Sequence, residues 1–200
     1  MEKIGIFGGT FNPPHIGHVN SAKDFVAKTE IDKLLIIPTN LPPHKDYNCE
    51  ASAEQRLQMS RLAFGDVEGA EVSDVEICRG GKSYTYITLE ELSREGRTLY
   101  LLCGTDMFLT LDGWKNAERI FALATVCYVR RENDDSACAL LEAKAREYRE
   151  KYGARVVPVS NSVIEISSSE LREMLARREG AERFIPKDVY DYILEQELYL

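Results

Sequence analysis

Residues 3–20 read KIGIFGGTFNPPHIGHVN, and three structural signals follow one another along them. The apolar run Ile4–Phe7 suits a buried strand, and it leads into Gly8-Gly9, where bare backbone can turn tightly and approach a ligand. The prolines that follow cannot continue a strand, and from Ile16 onward apolar residues recur every three to four positions. The segment therefore predicts a strand, a glycine turn and the beginning of a helix.

Such a turn is typical of the phosphate cradle in mononucleotide-binding α/β units, because free N–H groups and the positive end of the helix dipole face an anion there. His15 and His18 stand at the same helix start and add two donors. The only other histidine of the chain, His44, follows the second apolar run. No Gly-Lys-Ser/Thr follows Gly8-Gly9 at the spacing of a P-loop, and the Gly-x-Gly-x-x-Gly pattern is absent. These absences argue against a P-loop kinase and against a dehydrogenase.

Strand and helix signals alternate along the rest of the chain. Further strands are predicted at 34–37, 72–78, 98–103, 124–129 and 155–159, of which the second alternates and is expected to be less buried. Capping-box patterns at Ser52 and Ser167 predict two helix starts, and Pro186 suits the first turn of a last helix. Helical patterns also cover 84–94 and 137–152.

Strands joined by helices imply the α/β class, with a central parallel sheet and helices on both faces. No shift in composition marks a boundary along the chain. Residues 1–200 are therefore expected to form a single domain, with a small helical C-terminal portion from about residue 167.

Composition narrows the possible partners and compartment. A net charge of −8 argues against wrapping nucleic acid, which requires a basic face. No apolar run approaches the ~20 residues of a membrane span, and no signal peptide precedes the first strand. The five cysteines are scattered without metal-ligand spacing, which predicts small buried residues in a reducing cytoplasm and no zinc site.

Further candidate residues follow predicted strands, where ligands of parallel α/β sheets bind. Lys45 comes after the stiff Pro42-Pro43 pair, so it is either a phosphate ligand or an ordinary solvated lysine. Asp106 follows shortly after the apolar run at 98–103, so it either caps the next helix or accepts hydrogen bonds from a ribose. Arg172 lies in the helix that Ser167 caps, and such a helix start can also bind a phosphate.

The only tryptophan, Trp114, lies between glycine and lysine rather than among apolar residues. This setting favours stacking on an aromatic ligand over a place in the core. The charge-rich run at 142–151 is interpreted as a solvated helix face without a chemical role.

Together these residues resemble a known family. GGTFNPPHIGH at 8–18 is similar to the signature of the nucleotidyltransferase superfamily that shares a His-x-Gly-His motif with class I aminoacyl-tRNA synthetases. Further segments narrow the resemblance to the bacterial nicotinate-mononucleotide adenylyltransferases. They are PTNLPPHK at 38–45, SYTYITL at 83–89, GTDMFLTLDGW at 104–114, ISSSELR at 166–172 and IPKDVYDYI at 185–193. The resemblance runs from residue 4 to about residue 193 and implies a Rossmann-like nucleotidyltransferase fold.

The resemblance implies transfer of an adenylyl group from ATP to nicotinate mononucleotide, with Mg²⁺ accompanying ATP and no metal site in the protein. Carried over by motif, it implies that Lys45 holds the mononucleotide phosphate, that Trp114 stacks on the pyridine ring, and that N–H groups of Thr85 and Lys115 receive the carboxylate. The implied ATP ligands are Gly8, Gly9, Thr10, Phe11, His15, His18, Gly104, Asp106, Ser167, Ser168 and Arg172. Of all these residues, His15, His18, Lys45 and Arg172 are expected to be catalytic. One departure concerns Arg131, which Glu132-Asn133 follow where the family has Pro-Gly.

Alternatives stay open at this point. Within the class, the acceptor could be nicotinamide mononucleotide, phosphopantetheine or glycerol phosphate, although Asn12 and Trp114 favour a pyridine nucleotide. From another class, the chain could be a nucleotide sensor without turnover. A homodimer is compatible with the sequence, which does not reveal the oligomeric state.

Overall fold

The computed structural model describes residues 1–43, 50–94, 96–131, 135–161, 164 and 166–200. Its strands are β1 (Glu2–Gly9), β2 (Lys33–Pro38), β3 (Ala70–Val72), β4 (Arg97–Cys103), β5 (Ala124–Arg131) and β6 (Val156–Asn161). Its helices are α1 (Ile16–Lys28), α2 (Ala53–Phe64), α3 (Val75–Arg79), α4 (Thr85–Leu92), α5 (Thr105–Leu109), α6 (Ala117–Leu123), α7 (Asp135–Tyr152), α8 (Ser168–Arg177) and α9 (Lys187–Glu195). Short 3₁₀ turns lie at Leu111–Gly113 and Ala181–Arg183.

The six strands form one sheet in the order β3-β2-β1-β4-β5-β6, and every adjacent pair is parallel. Strand β1 pairs with β2 on one side, where Ile6 is opposite Leu35, and with β4 on the other, where Ile6 is opposite Leu101. The chain therefore reverses its direction of winding between β1 and β4, and ligands of such sheets bind at the carboxyl ends of these strands. This confirms the predicted α/β fold with a central parallel sheet.

Helices cover both faces of the sheet, and each face has its own hydrophobic core. Strand β2 shows the division, because Leu34 and Ile36 face one core while Leu35 and Ile37 face the other. The first core contains buried residues of α1, α2, α8 and α9, and the second contains those of α4, α5, α6 and α7.

Gly5 shows why a glycine occurs inside β1. A Cβ atom at this position would lie 2.6 Å from the side chain of Ile31 and 2.9 Å from the ring of Phe25. The glycine thus allows α1 to pack closely on the strand that leads to the predicted phosphate cradle.

Most predicted elements are present, but the strand predicted at 72–78 is wrong beyond Val72. Strand β3 ends there, and Val75–Arg79 forms helix α3. Within this helix the Glu76 carboxylate is buried and accepts a hydrogen bond of 2.5 Å from the Thr88 hydroxyl. A minor difference concerns Pro186, which is the N-cap of α9 rather than a residue of its first turn.

Three of the four cysteines that the structure describes follow the prediction of burial. Cys103, Cys127 and Cys138 are buried and free, whereas Cys78 is exposed and Cys49 lies outside the described residues. Among the helices in the described ranges, none is long and apolar enough to cross a membrane.

Candidate active site

Gly8 and Gly9, predicted as a turn, are instead the last two residues of β1 and pair with β2, and Gly9 lies against the ring of Phe11. A Cβ atom at Gly9 would lie 2.8 Å from that ring, so only glycine fits there. Phe11 has a φ of +48°, which is unusual for a bulky residue, and its buried ring packs edge-on against Phe7 and Phe64. Phe11 therefore packs against the carboxyl end of β1, while a Cβ atom at Gly8 would make only an ordinary contact of 3.9 Å with the carbonyl oxygen of Ile37.

The two predicted histidines lie against one another at the start of α1. Their ring centroids are 3.6 Å apart, and His15 is the N-cap residue of the helix. A Cβ atom at Gly17 would lie only 3.0 Å from Nδ1 of His15. A larger residue than glycine between the two histidines would therefore have to displace the His15 imidazole by a few tenths of an ångström.

Hydrogen bonding defines which nitrogen of His18 can donate. The backbone N–H of His15 donates to Nδ1 of His18 over 3.2 Å. Because Nδ1 accepts, the proton of the neutral ring lies on Nε2, and this nitrogen is a donor. By contrast, Nδ1 of His15 is buried and has no hydrogen-bond partner among the described residues. A buried polar atom without a partner is costly, and such atoms are expected where a ligand completes the site.

Both imidazoles are neutral at pH 7 in this structure. Burial lowers the pKa of His15 to about 4. Burial also holds the pKa of His18 well below its usual value, and repulsion from His15 lowers it further. The site therefore presents neutral N–H donors, and an anion bound beside them would raise both pKa values.

The start of helix α8 lies directly beside the loop that carries the histidines. Ser167 caps α8 by accepting the N–H of Glu170. The Ser168 hydroxyl donates to the carbonyl of Pro13 over 2.9 Å, and Nη1 of Arg172 donates to the carbonyl of Asn12 over 2.8 Å. The structure thus brings together the two helix starts that the sequence predicts to share one triphosphate.

The predicted ribose ligands lie at the carboxyl end of β4, next to β1. Gly104 is the N-cap of α5, and Asp106 is an exposed residue in the first turn of that helix. The Asp106 carboxylate does not cap the helix, so the capping interpretation is wrong. Asp106 is exposed near the carboxyl ends of β1 and β4, which is compatible with a role in binding a ribose.

The side chain of Lys115 lies near the start of α4, where Thr85, the other predicted carboxylate ligand, is found. Thr85 begins α4, and Nζ of Lys115 lies 4.3 Å from the ring centre of Tyr84, the residue before it. The first N–H groups of a helix have no partner within it, and Tyr84 provides no side-chain cap. Trp114, immediately before Lys115, is half-buried and packs against the second core. One surface therefore combines an aromatic ring, a cation and free N–H groups.

Two earlier predictions lie outside the described residues, and a third concerns a side chain that is not described. Lys45 and His44 fall within residues 44–49. Glu132-Asn133, the departure that follows Arg131, is also outside the described ranges, and the side chain of Arg131 is not described. Their suggested roles therefore stay predictions.

Sequence reasoning missed several residues that hold the site together. Arg56 is fully buried and donates to the loops after β1 and β2. The Tyr199 hydroxyl donates to Oδ1 of Asn12 over 2.5 Å, although the two residues are 187 positions apart. Lys144 pairs with Asp112 over 2.9 Å, so the run at 142–151 is not merely a solvated face. Only Arg56 had a visible signal, because it lies on the apolar side of its helix.

Comparisons with known proteins agree with this geometry. A family model for cytidylyltransferase-like proteins matches residues 6–174. The chain is 35% identical over 215 residues to a protein of Desulfatibacillum aliphaticivorans named "Probable nicotinate-nucleotide adenylyltransferase", with 99% of this chain and 100% of that protein covered. It is 34% identical to a protein of the same name from Clostridium acetobutylicum, with the full length of both covered.

A solved structure shares the fold at lower identity. The nicotinic acid mononucleotide adenylyltransferase of Plasmodium falciparum, complexed with NaAD, is 18% identical with a TM-score of 0.75. The alignment covers 100% of this chain and 98% of that one. The full-length identities above and the matching family model show that the chain belongs to the nicotinate-nucleotide adenylyltransferases, a family of nucleotidyltransferases.

Proposed function

We propose that this enzyme transfers the adenylyl group of ATP to nicotinate mononucleotide, giving nicotinate adenine dinucleotide and pyrophosphate in NAD biosynthesis. The 5′-phosphate oxygen of the mononucleotide attacks the α-phosphorus of ATP, and the bond from that phosphorus to the bridging oxygen of pyrophosphate breaks. Since the attacking phosphate is already ionised at neutral pH, no strong general base is required. Catalysis then depends on alignment and on stabilisation of charge.

The observation that carries this proposal is the meeting of two helix starts around the stacked histidines. Nε2 of His18 is a donor because its Nδ1 accepts the N–H of His15. We assign this donor to charge that develops at the α-phosphate. His15 and the α8 start, with Ser167, Ser168 and Arg172, would bind the remaining phosphates. Gly104 and Asp106 would hold the adenosine ribose.

The acceptor is proposed from the surface formed by Trp114, Lys115 and the start of α4. The ring of Trp114 would stack on the pyridine, and free N–H groups at Thr85 and Lys115 would receive its carboxylate. A carboxylate accepts hydrogen bonds at both oxygens, whereas an amide offers only one acceptor. We therefore expect nicotinate mononucleotide to be preferred over nicotinamide mononucleotide. Lys45 is proposed to hold the phosphate of this acceptor.

The reaction is also expected to use a divalent metal ion. Nucleotidyltransferases of this kind generally use a divalent metal ion. In the ranges that the structure describes, no group of three or more His, Cys, Asp or Glu side chains is placed to hold one. We propose that the ion is Mg²⁺ and that it enters with ATP, bound by phosphate oxygens.

The decisive experiment measures pyrophosphate release and dinucleotide formation from ATP with each of the two mononucleotides. We expect turnover with both products in equal amounts and a higher kcat/KM for the nicotinate form. A preference for the amide would overturn the assigned acceptor. Binding of ATP without any turnover would instead favour the nucleotide sensor.

Two further expectations accompany the proposal. We propose that the enzyme works in the cytoplasm, where a reducing environment keeps thiols such as those of Cys103 and Cys127 free. The single-domain organisation over residues 1–200, with its helical C-terminal portion, and the homodimer both stay predictions. Limited proteolysis and light scattering, respectively, test them.

A further inference from the structure

A buried arginine joins the two loops that lie on either side of the candidate active site. The side chain of Arg56, in helix α2, has no exposed surface. Its Nη1 donates to the carbonyls of Thr10 over 2.9 Å and of Thr39 over 2.7 Å. Its Nη2 donates to the carbonyl of Asn40 over 2.9 Å. Three backbone acceptors therefore converge on one guanidinium group.

These acceptors belong to different parts of the site. Thr10 is the first residue after β1, in the loop that leads to the histidines, whereas Thr39 and Asn40 are the first two residues after β2. Asn40 extends the connection, because its backbone N–H donates to the Ser83 hydroxyl over 2.9 Å. Thr85, proposed above to receive the acceptor carboxylate, follows two residues later. Arg56 thus connects the ATP side of the site with the mononucleotide side.

The chemistry of these contacts requires arginine. A guanidinium group presents several N–H donors in a rigid plane, so it can satisfy separated carbonyls in fixed directions at once. A lysine ammonium group is a single point on a flexible stem and cannot reach the same three acceptors in one geometry. Taking a cation out of water is costly, and the hydrogen bonds from Nη1 and Nη2 to well-placed carbonyls offset part of this cost.

The first turn of helix α2, from which the Arg56 side chain projects, is itself fixed by hydrogen bonds. Ser52 and Gln55 form a reciprocal capping box at its start, and the backbone N–H of Arg56 donates to the carbonyl of Ser52. The Ser60 hydroxyl donates to the carbonyl of Arg56 one turn later. The guanidinium therefore projects from a fixed point on the scaffold, as expected of a group that positions others.

We infer that Arg56 is a positioning residue that keeps the loops after β1 and β2 in one mutual arrangement, and that this arrangement sets the in-line approach of the two substrates. The inference has a structural half, which concerns the arrangement of the loops, and a catalytic half, which concerns the approach of the substrates. Only the catalytic half rests on the proposed function. Since Arg56 orders the two loops relative to one another, its loss affects the reaction of bound substrates more than the binding of either one.

The first test follows the loops directly and needs no activity. Hydrogen exchange at residues 9–12 and 39–41 is compared in the wild type, in R56K and in R61K. Arg61 is an exposed residue of the same helix, so R61K is the matched control. We expect faster exchange in both loops of R56K and wild-type exchange in R61K. Unchanged exchange in R56K, or faster exchange in one loop alone, would overturn the inference.

The second test separates chemistry from binding. For R56K we expect kcat per folded molecule to fall about tenfold or more, while the Kd values for ATP and for nicotinate mononucleotide each change less than about threefold. A wild-type kcat at a temperature where R56K is folded would contradict the catalytic half. If the wild type itself shows no turnover, the proposed function fails, and the exchange experiment still decides the structural half.

A measurement on the wild type covers the case in which R56K does not fold. Three fixed acceptors hinder rotation of the Arg56 guanidinium, so Nη1 and Nη2 should give separate nitrogen resonances, unlike those of exposed Arg61. A single averaged resonance for Arg56 would overturn the inference without any variant.

Discussion

Acidification should destabilise the folded enzyme through the buried pair His15 and His18. Burial lowers the pKa of His15 from 6.5 to about 4. Between these two values the unfolded chain binds a proton that the folded chain does not, so stability falls as the pH falls through this window. Lowering the pH from 7 to 4.5 should therefore reduce the free energy of unfolding by about 2 kcal/mol through His15 alone. The lowered pKa of His18 adds a loss of the same sign.

Urea unfolding at pH 7, 6, 5 and 4.5 measures this effect. A His44→Asn background removes the third imidazole, so that His15 and His18 are the only histidines that titrate in this range. Ending at pH 4.5 limits the contribution of carboxylates such as Glu170, whose hydrogen bonds lower its pKa below 4.5. The variant His15→Asn in the same background should lose about 2 kcal/mol less between pH 7 and pH 4.5. Equal losses with and without His15 would refute the claim that this imidazole is buried and neutral.

Three further changes test separate contacts. His18→Ala should lower kcat on the order of 10²-fold while circular dichroism stays native, because it removes a donor to the transition state; full activity in the folded variant would exclude His18 from the mechanism. Tyr199→Phe should lower the free energy of unfolding by about 1 kcal/mol, since Oδ1 of Asn12 loses a buried donor; an unchanged urea midpoint would contradict this. Ser52→Ala should cost about 1 kcal/mol in the same assay through the lost N-cap of α2, and a change near zero would argue against the cap.

The fold was predictable because its signals are local and agree with one another. Continuous apolar runs such as 34–37 indicate strands that are buried on both faces, and in the structure these residues alternate between two cores. The capping boxes at Ser52 and Ser167 begin helices where the pattern predicts them. Interactions within four residues determine these features, so the sequence alone contains them.

The prediction of a strand at 72–78 failed because the structure of this segment depends on contacts with residues distant in sequence. Alternation predicts a strand only if the polar positions face water, and Glu76 does not. Its partner Thr88 lies 12 residues further along the chain, and Arg79 approaches the same carboxylate at 3.8 Å. A buried polar network of this kind depends on which elements pack together, and no local pattern reveals it.

The candidate site divides in the same way. Residues that would touch substrate were recognisable because glycine turns, histidine pairs and capped helix starts have local signatures. Residues that hold those groups in place, such as Arg56 and Lys144, act on backbone or side chains far away in sequence. An arginine within a helical pattern usually lies in solvent, so the place of Arg56 on the apolar side of its helix was a weak signal, and only the tertiary structure shows which carbonyls it binds.

The hydrogen bond between Tyr199 and Asn12 has a consequence for biosynthesis. It joins the loop that precedes the histidines to a residue made 187 positions later. A growing polypeptide cannot form this contact until residue 199 has been translated and has left the ribosome. The loop that precedes His15 therefore gains this hydrogen bond only after Tyr199 has been made, even though the loop itself is encoded near the start of the message.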